Sequence, residues 1–193
     1  MTADGTAYCW GDNGHSQLGN DSVGGRKLEP VPVLIASGLT FEWIEASWHD
    51  FSCAGSAADP YCWGHNDFGQ LGRGFVSQQE TDLAAPSGGL ALSAIEGGIS
   101  HACAVALDGS AYCWGAGSFG KLGNGARDDG YEPVAVSGDR IFESVTVGNV
   151  HSCGLTTDGQ ALCWGSNEDG QLGIGSNDDS RTTPQPVVGP VGA

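Results

Sequence analysis

The sequence has few basic residues: 7 Lys and Arg stand against 23 Asp and Glu, which gives a net charge of −16 at pH 7. A field of this sign repels phosphate backbones and anionic membrane surfaces. The nearest approach to a basic patch, Arg26-Lys27, is followed at once by Glu29. We therefore expect a solvated acidic surface and no nucleic-acid partner.

Long apolar runs and reaction motifs are also missing. No apolar stretch approaches the length of a transmembrane helix, so we expect no membrane insertion. The residues Met1 to Gly5 lack the basic start and apolar stretch of a signal peptide. There is no Gly-x-Ser-x-Gly elbow, no phosphate-binding Gly-Lys-Ser/Thr, and no carboxylate pair singled out by its setting. We expect neither an enzyme with catalytic residues nor a protein with a cofactor.

The sequence does contain a repeat. A Cys-Trp-Gly tripeptide, followed at a fixed distance by Leu-Gly, occurs four times in a chain with 33 glycines. The cysteines that open the copies are spaced 53, 51 and 50 residues apart: Cys9, Cys62, Cys113 and Cys163. A period of this size is typical of stacked or radially arranged repeats.

We assign residues 1–193 to a single repeat domain. The predicted repeats are 1–36, which is partial, followed by 37–90, 91–138 and 139–193. Each full repeat offers about four short strands, the content of one propeller blade. The chain opens at an Asp-Gly turn signal in the middle of a repeat, and we interpret it as a piece of a longer precursor.

A β-hairpin in each full repeat predicts a cysteine pair. In the last repeat, Thr157-Asp158-Gly159 is typical of a hairpin loop with glycine at positive φ. Closing this loop with Thr156 opposite Gln160 places Cys153 opposite Cys163 at a non-hydrogen-bonded position, where Cβ atoms approach closely enough for a disulfide. The predicted disulfides are Cys53–Cys62, Cys103–Cys113 and Cys153–Cys163, with Cys9 as an unpaired thiol.

Three disulfides imply an oxidising compartment, so we expect a secreted protein, extracellular or periplasmic.

The alternative to a disulfide at these cysteines is a zinc site, because His101 and Cys103 share a strand face with Cys113 opposite. That cluster offers only three ligands and no Cys-x-x-Cys occurs, so we expect no metal. Residues 176–180 do not match a calcium-binding spacing, and we favour ordinary turn chemistry for them.

Other recurring residues are interpreted as structural. The proline-marked segments that usually follow Leu-Gly belong at strand starts or sheet edges, because proline lacks a ladder donor. The second repeat departs from this pattern and offers only Ala85-Pro86-Ser87. The recurring histidines His49, His101 and His151 are interpreted as one repeated position that makes a hydrogen bond between repeats. The recurring tryptophans are expected to fill space between repeats: Trp10, Trp63, Trp114 and Trp164.

The stretch from His151 to Gly173 resembles the repeat of the regulator of chromosome condensation family, and four in-register copies extend this resemblance over the whole chain. The resemblance implies an all-β fold of β-propeller blades with about four antiparallel strands each. Members are typically seven-bladed, so roughly 3.5 repeats imply an incomplete or oligomer-completed ring. Ser16 replaces a glycine of the other copies, and Gly117 replaces an asparagine.

The resemblance also bears on location and activity. The paired cysteines resemble a bacterial, exported variety of the repeat. No inserted wedge-like segment is present that would supply the guanine-exchange activity of the chromatin member. One known β-lactamase inhibitor looks like this family, so inhibition of an exported enzyme is one specific form of protein binding that the resemblance implies.

Loops that differ between repeats are the candidates for recognition, because loops carried on a rigid ring are the usual binding sites. These loops are 21–28, 73–83, 126–131 and 177–183. Aromatic, imidazole and arginine residues in or near these loops, or without a counterpart in the other repeats, are the predicted partner-binding residues: Arg73, Phe75, Arg127, Tyr131, Trp43, Trp48, His65 and Phe68.

We therefore expect a non-enzymatic, secreted scaffold that recognises a protein partner through variable inter-strand loops, as an enzyme inhibitor or an adhesion module. The alternative is a structural self-assembly module, a homo-oligomer whose open blade edges pair with other chains. A carbohydrate-binding module that uses exposed tryptophans is a third hypothesis.

Overall fold

The computed structural model describes residues 1–34, 38–56 and 59–189. In these ranges the chain forms fourteen β-strands in four antiparallel sheets, three with four strands and one with two. The all-β prediction and the prediction of about four strands per repeat are confirmed. The sequence predicts a turn at Ala57-Ala58-Asp59-Pro60 between Cys53 and Cys62, and Ala57 and Ala58 lie outside the described residues. We call each sheet a blade and number the blades 1 to 4 along the chain.

The strands of each blade lie side by side in chain order. Blade 1 has β1 (Tyr8–Asp12) and β2 (Arg26–Pro32). Blade 2 has β3 (Trp43–Ala46), β4 (Phe51–Gly55), β5 (Pro60–Asn66) and β6 (Ser77–Ala84). Blade 3 has β7 (Leu92–Gly97), β8 (His101–Ala106), β9 (Ala111–Gly115) and β10 (Gly130–Ala135). Blade 4 has β11 (Phe142–Val147), β12 (His151–Thr156), β13 (Ala161–Gly165) and β14 (Arg181–Pro186).

The central hairpins have the predicted register. Cys153 lies opposite Cys163 in β12 and β13, and the Thr156 N–H donates to the Gln160 carbonyl across the turn at 2.9 Å. Gly159 has the predicted positive φ, 83°. In blades 2, 3 and 4 the Cα atoms of the facing cysteines are 4.0 to 4.1 Å apart, and their sulfurs lie at disulfide distance. Cys9 has no such partner among the described residues.

Proline marks the outer edge of three blades, as predicted. The strands β2, β10 and β14 contain proline, and each is the last strand of its sheet. In blade 2 the last strand, β6, contains no proline, and Pro86 follows its end. One side of an edge strand needs no ladder partner, so the missing N–H removes no hydrogen bond there.

Tryptophans join neighbouring blades. The indole N–H groups of Trp63, Trp114 and Trp164 donate to the main-chain carbonyls of Gln17, Gln70 and Lys121 in the preceding blade, at 3.0, 2.8 and 3.0 Å. These three indoles are fully buried, as predicted. The prediction was wrong for Trp10, which is 63% exposed.

Buried asparagines shape the loop between the third and fourth strands of a blade. Asn66 Oδ1 accepts from the Leu71 N–H at 3.1 Å, and Asn66 Nδ2 donates to the Phe75 carbonyl at 3.0 Å. Asn13 and Asn167 make the same pair of bonds in blades 1 and 4. One internal amide thus fixes the loop, which leaves the residues at its tip able to vary.

The two departures from the repeat pattern have different structural outcomes. Ser16 keeps the left-handed conformation of the glycine that it replaces, with φ 65° against 73° at Gly69. Gly117 has no amide side chain, and its N–H donates to the Asp129 carboxylate at 2.9 Å instead. A short 3-10 helix, Ser118–Gly120, follows Gly117 in this blade.

Candidate functional site

The strand register places most of the variable segments at one end of the blades. The prediction of a loop over 73–83 was wrong for its second half, which belongs to strand β6 (Ser77–Ala84). Phe51, at the start of β4, lies opposite Gly64, near the end of β5, and the same pairing recurs at His101 and His151. The turn before the second strand and the loop after the third therefore share one end of the blade. We call this end the loop face, and it consists of turns 47–50, 98–100 and 148–150 and loops 13–25, 67–76, 116–129 and 166–180.

Five of the predicted partner-binding residues are exposed at or beside the loop face. Trp48 is 81% exposed in turn 47–50. Phe68 and Phe75 are exposed in loop 67–76, Arg127 is exposed in loop 116–129, and Tyr131 follows that loop. Large apolar side chains held in exposed positions are the groups that gain most from burial against a partner.

The other three predicted residues lie deeper. Trp43 is half-buried on β3 and packs against the core shared by blades 2 and 3. The Arg73 guanidinium pairs with the Glu80 carboxylate at 3.0 Å and donates to the carbonyls of Cys62 and Asp82. His65 is buried at the base of the loop face. Their partners in the structure are therefore intramolecular.

Three histidines meet on the loop face between blades 1 and 2. The ring centroid of His65 lies 4.5 Å from that of His15 and 5.4 Å from that of His49, both edge-on. Asp50 Oδ2 lies 3.9 Å from His15 Nε2 and 3.7 Å from His49 Nδ1, while Asp67 Oδ2 lies 3.0 Å from His65 Nε2. We call these five residues the imidazole cluster.

Two glutamines connect the imidazole cluster to the scaffold. Gln17 Nε2 donates to Asp50 Oδ1 at 2.7 Å, and Gln70 Nε2 lies 2.8 Å from His65 Nδ1. The main-chain carbonyls of the same two glutamines accept the indole N–H groups of the next blades. We call each bond from a tryptophan indole to the carbonyl of the preceding blade a joint. Gln17 and Gln70 therefore belong both to the loop face, by their side chains, and to the joints, by their main chains.

Most of the imidazole cluster was not predicted from the sequence, and one interpretation was wrong. Phe51, not His49, occupies the place that His101 and His151 take opposite glycine. His49 lies two residues earlier, in the turn. Aligning the repeats on Cys53, Cys103 and Cys153 would have shown that His49 lies two residues before the position of His101 and His151. His15 and Asp50 carry no such signal, because only the blade packing brings them to His65.

His101 has a structural role in the joint between blades 3 and 4. The Ser152 hydroxyl donates its proton to the Lys121 carbonyl at 3.0 Å, so His101 Nε2 must donate to Ser152 Oγ, at 2.9 Å. Burial, followed by the charges of Lys121 and His151, lowers the pKa of His101 to about 3. The ring is therefore neutral at physiological pH.

The zinc alternative loses its sulfur ligands, since Cys103 and Cys113 lie at disulfide distance from each other. In the three described ranges, no group of three or more His, Cys, Asp or Glu side chains is arranged to hold a metal ion. No described helix has the length and apolar character needed to cross a membrane.

An open cavity of about 430 Å³ lies beside blade 1. Its apolar walls include Trp10, Leu18, Ile44 and Phe51. In blades 3 and 4 the residues equivalent to Ile44, which are Ile95 and Val145, are buried, whereas Ile44 is only half-buried. Blade 1 thus leaves part of the apolar face of blade 2 uncovered.

Comparisons with known proteins agree on the nature of the repeat. Residues 4–55, 108–155 and 158–193 match the "Regulator of chromosome condensation (RCC1) repeat", and residues 93–121 and 142–171 match a second pattern of the same description. The ultraviolet-B receptor UVR8 of Arabidopsis thaliana is 34% identical over 141 residues, which are 70% of this chain and 31% of that protein. The regulator of chromosome condensation of Mus musculus is 27% identical over 143 residues, 73% of this chain and 34% of that protein.

Solved structures share the fold over nearly the whole chain. Yeast RCC1 (Prp20), solved bound to Kap60, superposes with a TM-score of 0.81 at 23% identity, over 96% of this chain and 45% of that one. Human WBSCR16 superposes with a TM-score of 0.83 at 21% identity, over 98% of this chain and 50% of that one. This chain therefore spans about a third of the length of the two curated relatives and about half of these two solved structures.

Proposed function

Because the chain belongs to the regulator of chromosome condensation repeat family, we propose that it is a non-enzymatic scaffold that binds a protein partner through its loop face. Propellers of this repeat commonly serve as protein-interaction scaffolds. The observation that supports this role most directly is the exposure of Trp48, Phe68 and Phe75 at one end of the blades. Exposed aromatic side chains on rigidly held loops are typical of binding hot spots.

The scaffold supports recognition by holding these loops in fixed positions. Asn66 ties both ends of loop 67–76 to its interior, and the Trp114 indole holds Gln70 against the next blade. A loop that is ordered before binding loses little conformational entropy when a partner docks. The acidic chain, with a net charge of −16, favours a partner surface of neutral or basic character.

The cysteine pairs support a location in an oxidising compartment. All six paired cysteines are in central strands, where reduction would leave thiols facing each other inside three blades. Structural disulfides of this kind persist outside reducing compartments. An extracellular or periplasmic scaffold, including an inhibitor of an exported enzyme, is the specific form of the proposal.

The binding role predicts that Trp48→Ala and Phe68→Ala each weaken partner binding at least about 30-fold, which corresponds to about 2 kcal/mol. The physical reason is the loss of aromatic area that a partner would bury. Immobilised wild-type protein would first be used to isolate a saturable partner from the exported proteins of its source. Calorimetry would then compare the variants against that partner.

Leu107→Ala is the matched control for these two variants. Leu107 is 64% exposed, but it lies in the turn between β8 and β9 at the opposite end of the blades. It should bind like the wild type if the loop face carries recognition. Equal binding by all three variants would contradict the proposal, as would the absence of any saturable partner.

Self-assembly is the second candidate function, favoured by the state of blade 1. Trp10 is exposed where its three counterparts are buried, and the cavity beside β1 has apolar walls. The two-stranded sheet of blade 1 has an edge, β1, without a described partner strand. Unpaired edges next to apolar surface are templates for association with another chain.

This second function predicts reversible association that depends on Trp10. Sedimentation velocity over about a hundredfold range of protein concentration should show the average mass rising for the wild type and for Leu107→Ala, whose substitution lies away from the cavity. Trp10→Ala should stay monomeric, because it removes the exposed indole. A wild-type monomer at every concentration would exclude self-assembly through this edge.

A further inference from the structure

The imidazole cluster lies next to the proposed binding residue Phe68, and its hydrogen bonds define the protonation state of His65. Gln70 Oε1 accepts from the Phe68 N–H at 2.9 Å, so the amide group of Gln70 turns its nitrogen to His65 Nδ1. A ring nitrogen that accepts this bond carries no proton. The proton of His65 is therefore on Nε2, which faces Asp67 at 3.0 Å.

Acidification conflicts with this arrangement. A proton added to His65 Nδ1 would meet the Gln70 amide nitrogen, which is a donor and cannot accept it. The amide cannot simply reverse, because its oxygen is engaged by the Phe68 N–H. A charged His65 therefore has to displace Gln70, and the Phe68 turn with it.

The surrounding charges come from four segments of blades 1 and 2. His15 and His49 flank His65, so acid places further positive charge within 4.5 and 5.4 Å of its ring. The carboxylate of Asp50 faces both flanking rings, and Asp67 faces His65 itself. Asp12 Oδ2 lies 3.5 Å from Gln17 Nε2, the same nitrogen that donates to Asp50. The nearest carboxylate to His65, that of Asp67, faces Nε2 and not Nδ1, so it does not relieve the clash at Nδ1.

Displacement of Gln70 would also alter the contact between blades 2 and 3. The main-chain carbonyl of Gln70 accepts the Trp114 indole N–H at 2.8 Å, and Trp114 is fully buried. The same residue thus contacts the imidazole cluster by its side chain and blade 3 by its backbone. A shift of the Phe68 turn changes both contacts together.

We propose that the imidazole cluster is a pH-sensitive element: protonation of His65 displaces Gln70, loosens the joint between blades 2 and 3, and moves Phe68 out of its binding position. The inference rests on the proposed function only in assigning Phe68 to recognition. Partner affinity at the loop face therefore falls when His65 gains a proton.

The test follows the indole N–H signals of the protein by ¹H–¹⁵N NMR between about pH 8 and about pH 5. The chain contains 6 tryptophans, and Trp114→Phe identifies the signal of Trp114. That signal should shift as the solution is acidified, because the carbonyl that accepts its hydrogen bond moves. The ring nitrogens of His65 should show the Nε2-protonated form at the upper end of the range.

His65→Ser is the decisive variant, since Ser166 occupies the equivalent position in blade 4 and a serine fits the loop. It should abolish the pH response of Trp114, whereas His151→Ser, which leaves the cluster intact, should preserve it. A Trp114 signal that does not move, or that moves equally in His65→Ser, overturns the inference. The measurement needs no partner, so its failure would leave binding by the loop face unaffected.

Discussion

Replacing Trp164 by alanine is expected to lower the free energy of unfolding by about 3–5 kcal/mol. The side chain is fully buried between blades 3 and 4, and its N–H donates to the Lys121 carbonyl at 3.0 Å. The substitution leaves a cavity of indole size, and the Lys121 carbonyl keeps only its bond from the Ser152 hydroxyl. Urea denaturation followed by circular dichroism would measure the loss as a lower midpoint.

Trp10→Ala provides an internal control at the same position of the repeat. Its indole is largely exposed, so the change should alter the free energy of unfolding by no more than about 0.5 kcal/mol. Low protein concentration keeps self-association out of the comparison. Similar losses in the two variants would show that the indole contributes through its own strand rather than through the contact between blades.

Replacing Cys103 and Cys113 together by alanine is expected to destabilise the protein by about 2–3 kcal/mol. The pair closes a loop with a sequence separation of 10 residues in the unfolded chain, and both residues are fully buried in the fold. Most of the loss comes from the greater freedom of the unfolded state. Guanidinium denaturation of the double variant under non-reducing conditions measures it.

Cys9→Ala is the control, because Cys9 has no sulfur partner among the described residues and is only half-buried. We expect its midpoint to match that of the wild type. Intact mass of the unreduced protein should lie about 6 Da below that of the reduced chain, with a single thiol open to alkylation. Labelling of all 7 cysteines would contradict the disulfides and the proposed oxidising compartment.

The sequence predicted the features that depend on one repeat alone. The hairpin register around Gly159 follows from turn chemistry and the alternation of a strand, and the structure has that register. The outer position of the proline-containing strands follows from a missing donor. Each of these requires only residues within about twenty positions of one another.

Features that depend on neighbouring blades were harder to predict. Trp10 lies in the same Cys-Trp-Gly motif as Trp164, yet it is largely exposed, because its environment depends on what packs beside blade 1. The imidazole cluster combines His15, His49 and His65, which come from three separate segments of two blades. Neither periodicity nor composition reports such a meeting, because it arises from tertiary packing.

The joint between blades allows the amino acid that supplies its carbonyl to vary. Each tryptophan finds its acceptor in a main-chain carbonyl, which every amino acid provides, so the joint imposes no requirement on the side chain at that residue. Glutamine occupies the position in blades 1 and 2, and lysine occupies it in blade 3. The side chain at this position can therefore change from blade to blade while the hydrogen bond to the tryptophan is kept.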